Sequence, residues 1–307
     1  MKILYTFTFV TAALFSTQNC GENTSKQAPK ISETTAKVAK SISLPDGFNA
    51  YWYAGKAELS TYEVTQERYG EIRAAEQVNI FVTEDFSKSK QVKLDNPSVS
   101  PADRVPVLKL NSIRRFHTGI YDYSIMQSVF TPVSGEPTLK TTTTVQDWCG
   151  HVFMQSNLQD NGYRVQGFSY FESEGDTDEQ WSLALQEDEL FTRIRLNPDA
   201  IPIGKVSLLP SMVFTRLRHQ PGKAQMADIQ LNKGATESTL SILYQDIQRS
   251  LSIRFENAFP HKILGWEELI GGKLASKGIL KATRLSPYWS EHDSVHAPLR
   301  DSIQLKF

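Results

Sequence analysis

Cysteine is nearly missing: of 307 residues only Cys20 and Cys149 carry a thiol, so the fold does not depend on a disulfide framework. An excess of charge is missing too. Lys and Arg number 33 against 34 Asp and Glu, a formal net charge of −1, which excludes the basic surplus of a nucleic-acid binder. No P-loop, dinucleotide fingerprint, Gly-x-Ser-x-Gly elbow, zinc-peptidase motif or CxxC pair is present. No cofactor and no metal are therefore expected, and the balance leans towards a non-catalytic protein. No internal repeat of fixed period is found. The apolar run 3–15 falls short of the ~20 residues that a lasting transmembrane helix needs.

What is present at the N-terminus is an address. Lys2 precedes the apolar run, and Cys20 follows Ser16-Thr17-Gln18-Asn19. This reads as a bacterial signal over 1–19 with lipidation of Cys20, although Thr17 and Asn19 fit the usual aliphatic and small-residue positions loosely. A conventionally cleaved signal and a retained strand or anchor are the alternatives. Two or more acyl chains on Cys20 would anchor firmly, at roughly 0.8 kcal/mol per buried methylene. Residues 20–43 then form a tether, GENTSKQAPKISETTAKVAKSIS after the cysteine, too poor in large apolar groups to offset ordering entropy. The expectation is an outer-membrane-anchored envelope lipoprotein that meets the membrane through Cys20.

Residues 44–307 read as an all-β globular region with minor helix, and with 40% apolar residues in the chain there is ample material for a core. Mixed β-branched, aromatic and polar residues mark strands near 58–65, 77–83, 105–116, 119–133, 137–157, 163–172, 191–196, 205–217, 227–231, 240–255 and 278–285. A hairpin across Tyr69-Gly70-Glu71 joins the first two. Asn197-Pro198 and Gln220-Pro221-Gly222 are among the turn signals. Short helical turns are expected within 56–68, 85–90 and 266–273. Long strands with recurring turns predict a large curved antiparallel meander, either a half-barrel or a two-sheet sandwich. A division into half-domains near Asn197-Pro198 stays open.

The stretches AYWYAGKAE (50–58), Tyr69-Gly70-Glu71, FVTEDF (81–86), TGIYDY (118–123) and VQDWCGH (145–151) resemble a group of uncharacterised Bacteroidetes lipoproteins. The resemblance runs from about Ala50 to the C-terminus and includes Arg300-Asp301-Ser302. Members sometimes carry the label septum formation inhibitor Maf. The chain has no Ser-x-Ser-Pro-Arg-Arg loop of those cytosolic pyrophosphatases, so the resemblance implies an envelope location and a β fold, with no activity or site attached.

Candidate chemistry is sparse. On one strand Cys149 and His151 would face the same side, as a thiolate beside an imidazole; a buried structural cysteine is the bland alternative. His292 and His296 have helical metal-ligand spacing but lie in a short, Pro-stopped polar stretch that reads as a surface loop. The acidic run 172–179 reads as a solvated hairpin tip. Arg193 and Arg195 share one face of an expected strand, as do Arg216 and Arg218, and together they would make a cationic patch for lipid phosphate, glycan or carboxylate. Arg114 and Arg115 fall on opposite faces. The aromatic runs Tyr51-Trp52-Tyr53 and Tyr121-Asp122-Tyr123 would line a groove or pack the core. The leading expectation is an envelope lipoprotein that binds an amphipathic ligand, a glycan or a partner protein in its concave face. A hydrolase using Cys149 and His151 and a purely structural assembly partner are the alternatives.

Overall fold

Tyr69 and Gly70 take left-handed backbone angles, φ 57° and 79°, the combination that a two-residue hairpin turn requires. They join β1 (Ala57–Arg68) to β2 (Glu71–Ser87) in the hairpin expected from sequence. The computed structural model describes residues 42–306, and in them the meander continues through β3 (Arg104–Thr118), β4 (Tyr121–Pro132), β5 (Lys140–Gln146), β6 (His151–Gln159), β7 (Gly162–Phe168) and β8 (Thr177–Ser182). A second series follows: β9 (Leu185–Gln186), β10 (Gly204–Leu209), β11 (Gln225–Lys233), β12 (Glu237–Tyr244), β13 (Arg249–Glu256), β14 (Ile263–Ile270) and β15 (Lys273–Ser286).

All 15 strands form one sheet in the order β8-β7-β6-β5-β4-β3-β2-β1-β15-β14-β13-β12-β11-β10-β9. Every pairing is antiparallel except β9 with β10. The protein is therefore all-β with minor helix, as expected, and the sheet contains strands from both sides of Asn197-Pro198. Its two edge strands, β8 and β9, are separated in the chain only by Leu183 and Ala184. The sheet thus curls until its free edges meet, and one hydrophobic cluster joins Tyr62, Phe116 and Ile125 to Ile229, Ile242 and Ile253 across the interior.

Two helices fill that interior: α2 (Leu190–Leu196) and α3 (Met212–Arg218) place Leu190, Ile194 and Leu217 in the same cluster. The short α1 (Phe48–Trp52) packs Phe48 and Trp52 in a separate cluster with Phe81, Leu108 and Val129. The segment 191–196, expected as a strand, is helical. Gln186 and Glu189 form a reciprocal capping box that starts a helical run three residues before α2, and Asn197-Pro198 stops it. The expected strand 205–217 is likewise cut: β10 ends before Pro210, and the Ser211 hydroxyl accepts a hydrogen bond from the Val213 amide at 3.1 Å to open α3. Residues 56–68 and 266–273, expected to hold helical turns, belong instead to β1 and to β14 with the turn into β15.

The inner face is unusually polar. Glu58, Ser60, Gln66, Gln77, Asn79, Gln127, Thr141 and Thr143 are all buried. The outer face of β1, β2, β3 and β15 is covered by the C-terminal segment 287–306. It carries short 3₁₀ turns at Tyr288–Ser290 and Ser294–His296, then α4 (Leu299–Ser302). Thr61 donates its hydroxyl to the Ile303 carbonyl at 2.5 Å, Lys281 donates to the Gln304 carbonyl at 3.0 Å, and the Lys306 amide donates to Glu76 at 2.9 Å. Within the segment, Ile303 is buried.

Candidate functional site: an outer cleft and a charged interior

Cys20 lies outside the described residues. Cys149 sits in the turn between β5 and β6, exposed beside exposed Trp148, and its amide donates to the Asp147 carboxylate at 2.7 Å. His151 is the first residue of β6 and is also exposed. The turn therefore removes the shared strand face on which the thiolate–imidazole pairing rested. Among the described residues no hydrogen bond joins the two side chains, and no group of three His, Cys, Asp or Glu residues is placed to hold a metal ion. His292 and His296 are not on one helix: the first is an exposed loop residue and the second ends a 3₁₀ turn.

The expected four-arginine patch is not formed. Two residues apart on a helix point about 200° away from each other, where on a strand they would align. Arg193 pairs with Glu189 one turn back at 2.9 Å. Arg195 is fully buried and grips both oxygens of Glu58. Arg216 bonds Glu174 at 2.7 Å, and Arg218 pairs with Glu67. Each guanidinium thus has its own carboxylate, and the patch dissolves into separate ion pairs. Glu174 belongs to the acidic hairpin tip. Desolvation pushes its pKa up, but Arg216, Ser169 and His219 outweigh that and hold it at about 2.

Around Arg195 the electrostatics are local and closed. Burial pushes the Glu58 carboxyl up, yet Arg195, Tyr51 and Ser60 bring it below its ordinary value. Tyr51 donates to Glu58 at 2.5 Å and Ser60 at 3.0 Å. The arginine lies 5.0 Å from the ring centres of both Trp52 and Phe81. Trp52 and Tyr123 from the aromatic runs are core residues.

A second charged group lines a cavity of about 120 Å³ between α2, α3 and the inner strand faces. Arg249 holds both oxygens of Glu187, bonds Glu268 at 2.6 Å, and stacks 4.2 Å from the centre of the Phe214 ring. Arg114 is held by neutral oxygens: Gln77 at 2.7 Å, Gln66 at 2.5 Å and Ser276 at 3.4 Å. Arg114 is half-buried and faces the cavity, and desolvation lowers its pKa to about 10. Burial, with Glu187 adding like charge, raises Asp188 to about 6 against its bonds to the Met212 amide, Ser211 and Gln127. A space this size holds on the order of four waters at ~30 Å³ each, far below the ~300–1,000 Å³ of ligand pockets. With α2 and α3 packed into it, the concave face is a polar core with a small cavity and not the open ligand groove expected from sequence.

The larger opening is on the outside. Between the outer sheet face and the C-terminal segment lies a cleft of about 330 Å³. Leu59, Val78, Ile80 and Ile113 form its half-buried floor, and Leu299, Ile303 and Leu305 its roof. Arg115, Arg284, Arg300, Glu76, Glu291, Tyr288 and His296 contribute the polar positions. Arg284 pairs with Glu291 at 3.4 Å, and Lys281 approaches Glu76 at 3.5 Å. Arg115 and Arg300 are exposed and, among the described residues, make no salt bridge. His296 Nδ1 is buried without a hydrogen-bond partner. None of the floor residues was singled out from sequence. Their only signal was the alternation Val78-x-Ile80, which by itself does not say which face is covered.

No protein-family model matches the sequence, and no curated protein matches it. Among solved structures, the chain is similar to a crystal structure described as a beta-barrel-like protein of domain of unknown function DUF1849 from Brucella abortus. That likeness has 10% identity and a TM-score of 0.46, and it covers 75% of this chain and 98% of that one.

Proposed function

We propose that this chain is a non-catalytic cell-envelope lipoprotein, anchored through a lipid on Cys20, whose β domain holds a small amphipathic ligand in the outer cleft. The observation that carries the reading is the cleft itself. It joins an apolar floor to convergent polar groups, and its volume of about 330 Å³ falls at the lower end of the ligand range, ~300–1,000 Å³. The interior cavity between α2, α3 and the inner strand faces is smaller, about 120 Å³. The anchor and the tether 20–43 rest on the sequence pattern, and they suit a binding domain held off a membrane.

The test is native mass spectrometry of the full-length protein from an export-competent host, followed by denaturing extraction. The expected outcome is a co-purifying amphiphile that disappears when Val78→Trp fills the cleft. A clean unliganded mass, or a ligand retained by the filled variant, rejects the reading. Cys20→Ser is expected to release the protein from the membrane fraction, and continued membrane association would reject the anchor.

A further inference from the structure

We infer that the cleft selects a single-chain amphiphile with a carboxylate head, such as a medium-chain fatty acid, and that Arg115 and Arg300 take the head group. This rests on the reading of the outer cleft as the binding site and adds the chemical class of its ligand. Charge complementarity carries the choice. The cleft's two carboxylates already have cationic partners, Glu76 in Lys281 and Glu291 in Arg284. Glu76 also lies directly opposite Arg115 in the β2–β3 ladder. Arg115 and Arg300 are left to face an incoming anion, and a guanidinium presents the forked donors that match a carboxylate.

Three further features narrow the class. The apolar floor demands a hydrocarbon, which excludes free inorganic anions. The volume, about 330 Å³, suits one short chain rather than a two-chain lipid. Glu76 and Glu291 add negative charge to the same rim, which disfavours a dianionic phosphate relative to a monoanion. His296 Nδ1, buried and unpartnered on the same wall, supplies one more position for a head-group oxygen, as donor or acceptor according to tautomer.

The experiment is calorimetric titration of the full chain carrying Cys20→Ser with decanoate, decan-1-ol and decyl phosphate, each below its aggregation concentration. Decanoate is expected to bind about tenfold or more tighter than the alcohol, the scale of one charge-assisted hydrogen bond. The double variant Arg115→Gln with Arg300→Gln should reduce decanoate to the affinity of the alcohol, with the thermal midpoint checked to confirm folding. The Lys versions should keep part of the preference, since they retain charge and lose the fork. Equal binding of acid and alcohol, or tighter binding of decyl phosphate, overturns the carboxylate assignment and leaves the cleft reading standing. No binding by any of the three, or decanoate binding that survives Val78→Trp, overturns the cleft reading and this inference with it.

Discussion

Arg195 shows what a buried charge does when its partner is in place. Guanidinium and carboxylate are both removed from water, so the pair gains little over a well-packed apolar replacement, yet either group left alone is costly. Arg195→Met should therefore destabilise the domain by about 3–5 kcal/mol, because Glu58 keeps its burial and loses its main counter-charge. Adding Glu58→Leu should recover most of that loss, and urea unfolding of the single and double variants checks it. A double variant no more stable than the single would show that the loss comes from packing around Trp52 and Phe81. Asp188 is the opposite case, a buried carboxyl beside Glu187 with a pKa raised to about 6 from 3.8. A raised folded-state pKa gives stability that is complete below the unfolded value near 3.8 and is lost as the pH rises through about 6. The stability advantage of Asp188→Asn over the parent should thus shrink by roughly 1 kcal/mol between pH 7.5 and pH 5. Taking the difference between the two proteins cancels His261, whose pKa burial lowers and which titrates in the opposite sense. A difference that stays constant with pH would mean that Asp188 does not titrate in this window.

At the scale of elements, strands were legible wherever turn chemistry bounded them, and their faces were not. The β1–β2 hairpin could be read because Tyr69-Gly70 supplies the left-handed turn. Gln77 to Thr83 alternates approximately, broken only by Phe81, and that alternation alone points Val78, Ile80 and Val82 inward. The structure turns Gln77, Asn79 and Phe81 to the interior and sends Val78 and Ile80 to the cleft floor. The inversion has a physical basis: the inner face holds a network in which Gln77 accepts from Arg114 and donates to the Asn79 side-chain oxygen, so these groups find polar partners inside. The outer apolar residues find their cover in the C-terminal segment. A period-2 pattern fixes which residues share a face, and the partner of each face comes from elsewhere in the chain. The helices were missed for a related reason. Over the six residues Phe191 to Leu196 an alternating pattern and a helix buried on all sides look alike, and the informative signals were the box residues Gln186 and Glu189 outside the apolar run. The arginine patch failed with that assignment, since its alignment existed only on a strand. The cleft was illegible because its walls come from residues more than 200 positions apart, such as Leu59 and Ile303.

Across the whole described domain, the ladder and the C-terminal segment have separable roles. The ladder runs from β8 through β1 and β15 to β9, with its edges brought together by the short link Leu183-Ala184. No strand of it lies beyond Ser286. The segment 287–306 instead covers the outer face, holding on through backbone and side-chain hydrogen bonds at Thr61, Lys281 and Glu76 and through buried Ile303. Ending the chain after Ser286 should therefore keep the strand content measured by far-ultraviolet circular dichroism and lower the thermal midpoint. It should also uncover Leu59, Val78, Ile80 and Ile113 as one contiguous patch. Contiguous apolar surface beyond roughly 300–600 Å² is uncommon on a soluble monomer, so the truncated protein should bind a hydrophobic dye and self-associate. Decanoate binding should be lost together with Arg300 and the roof residues Leu299, Ile303 and Leu305. Loss of the circular dichroism signal would show instead that the segment is part of what holds β1 against β15. Full ligand binding by a folded truncation would mean that the sheet face alone is the site, with the segment acting only as its cover.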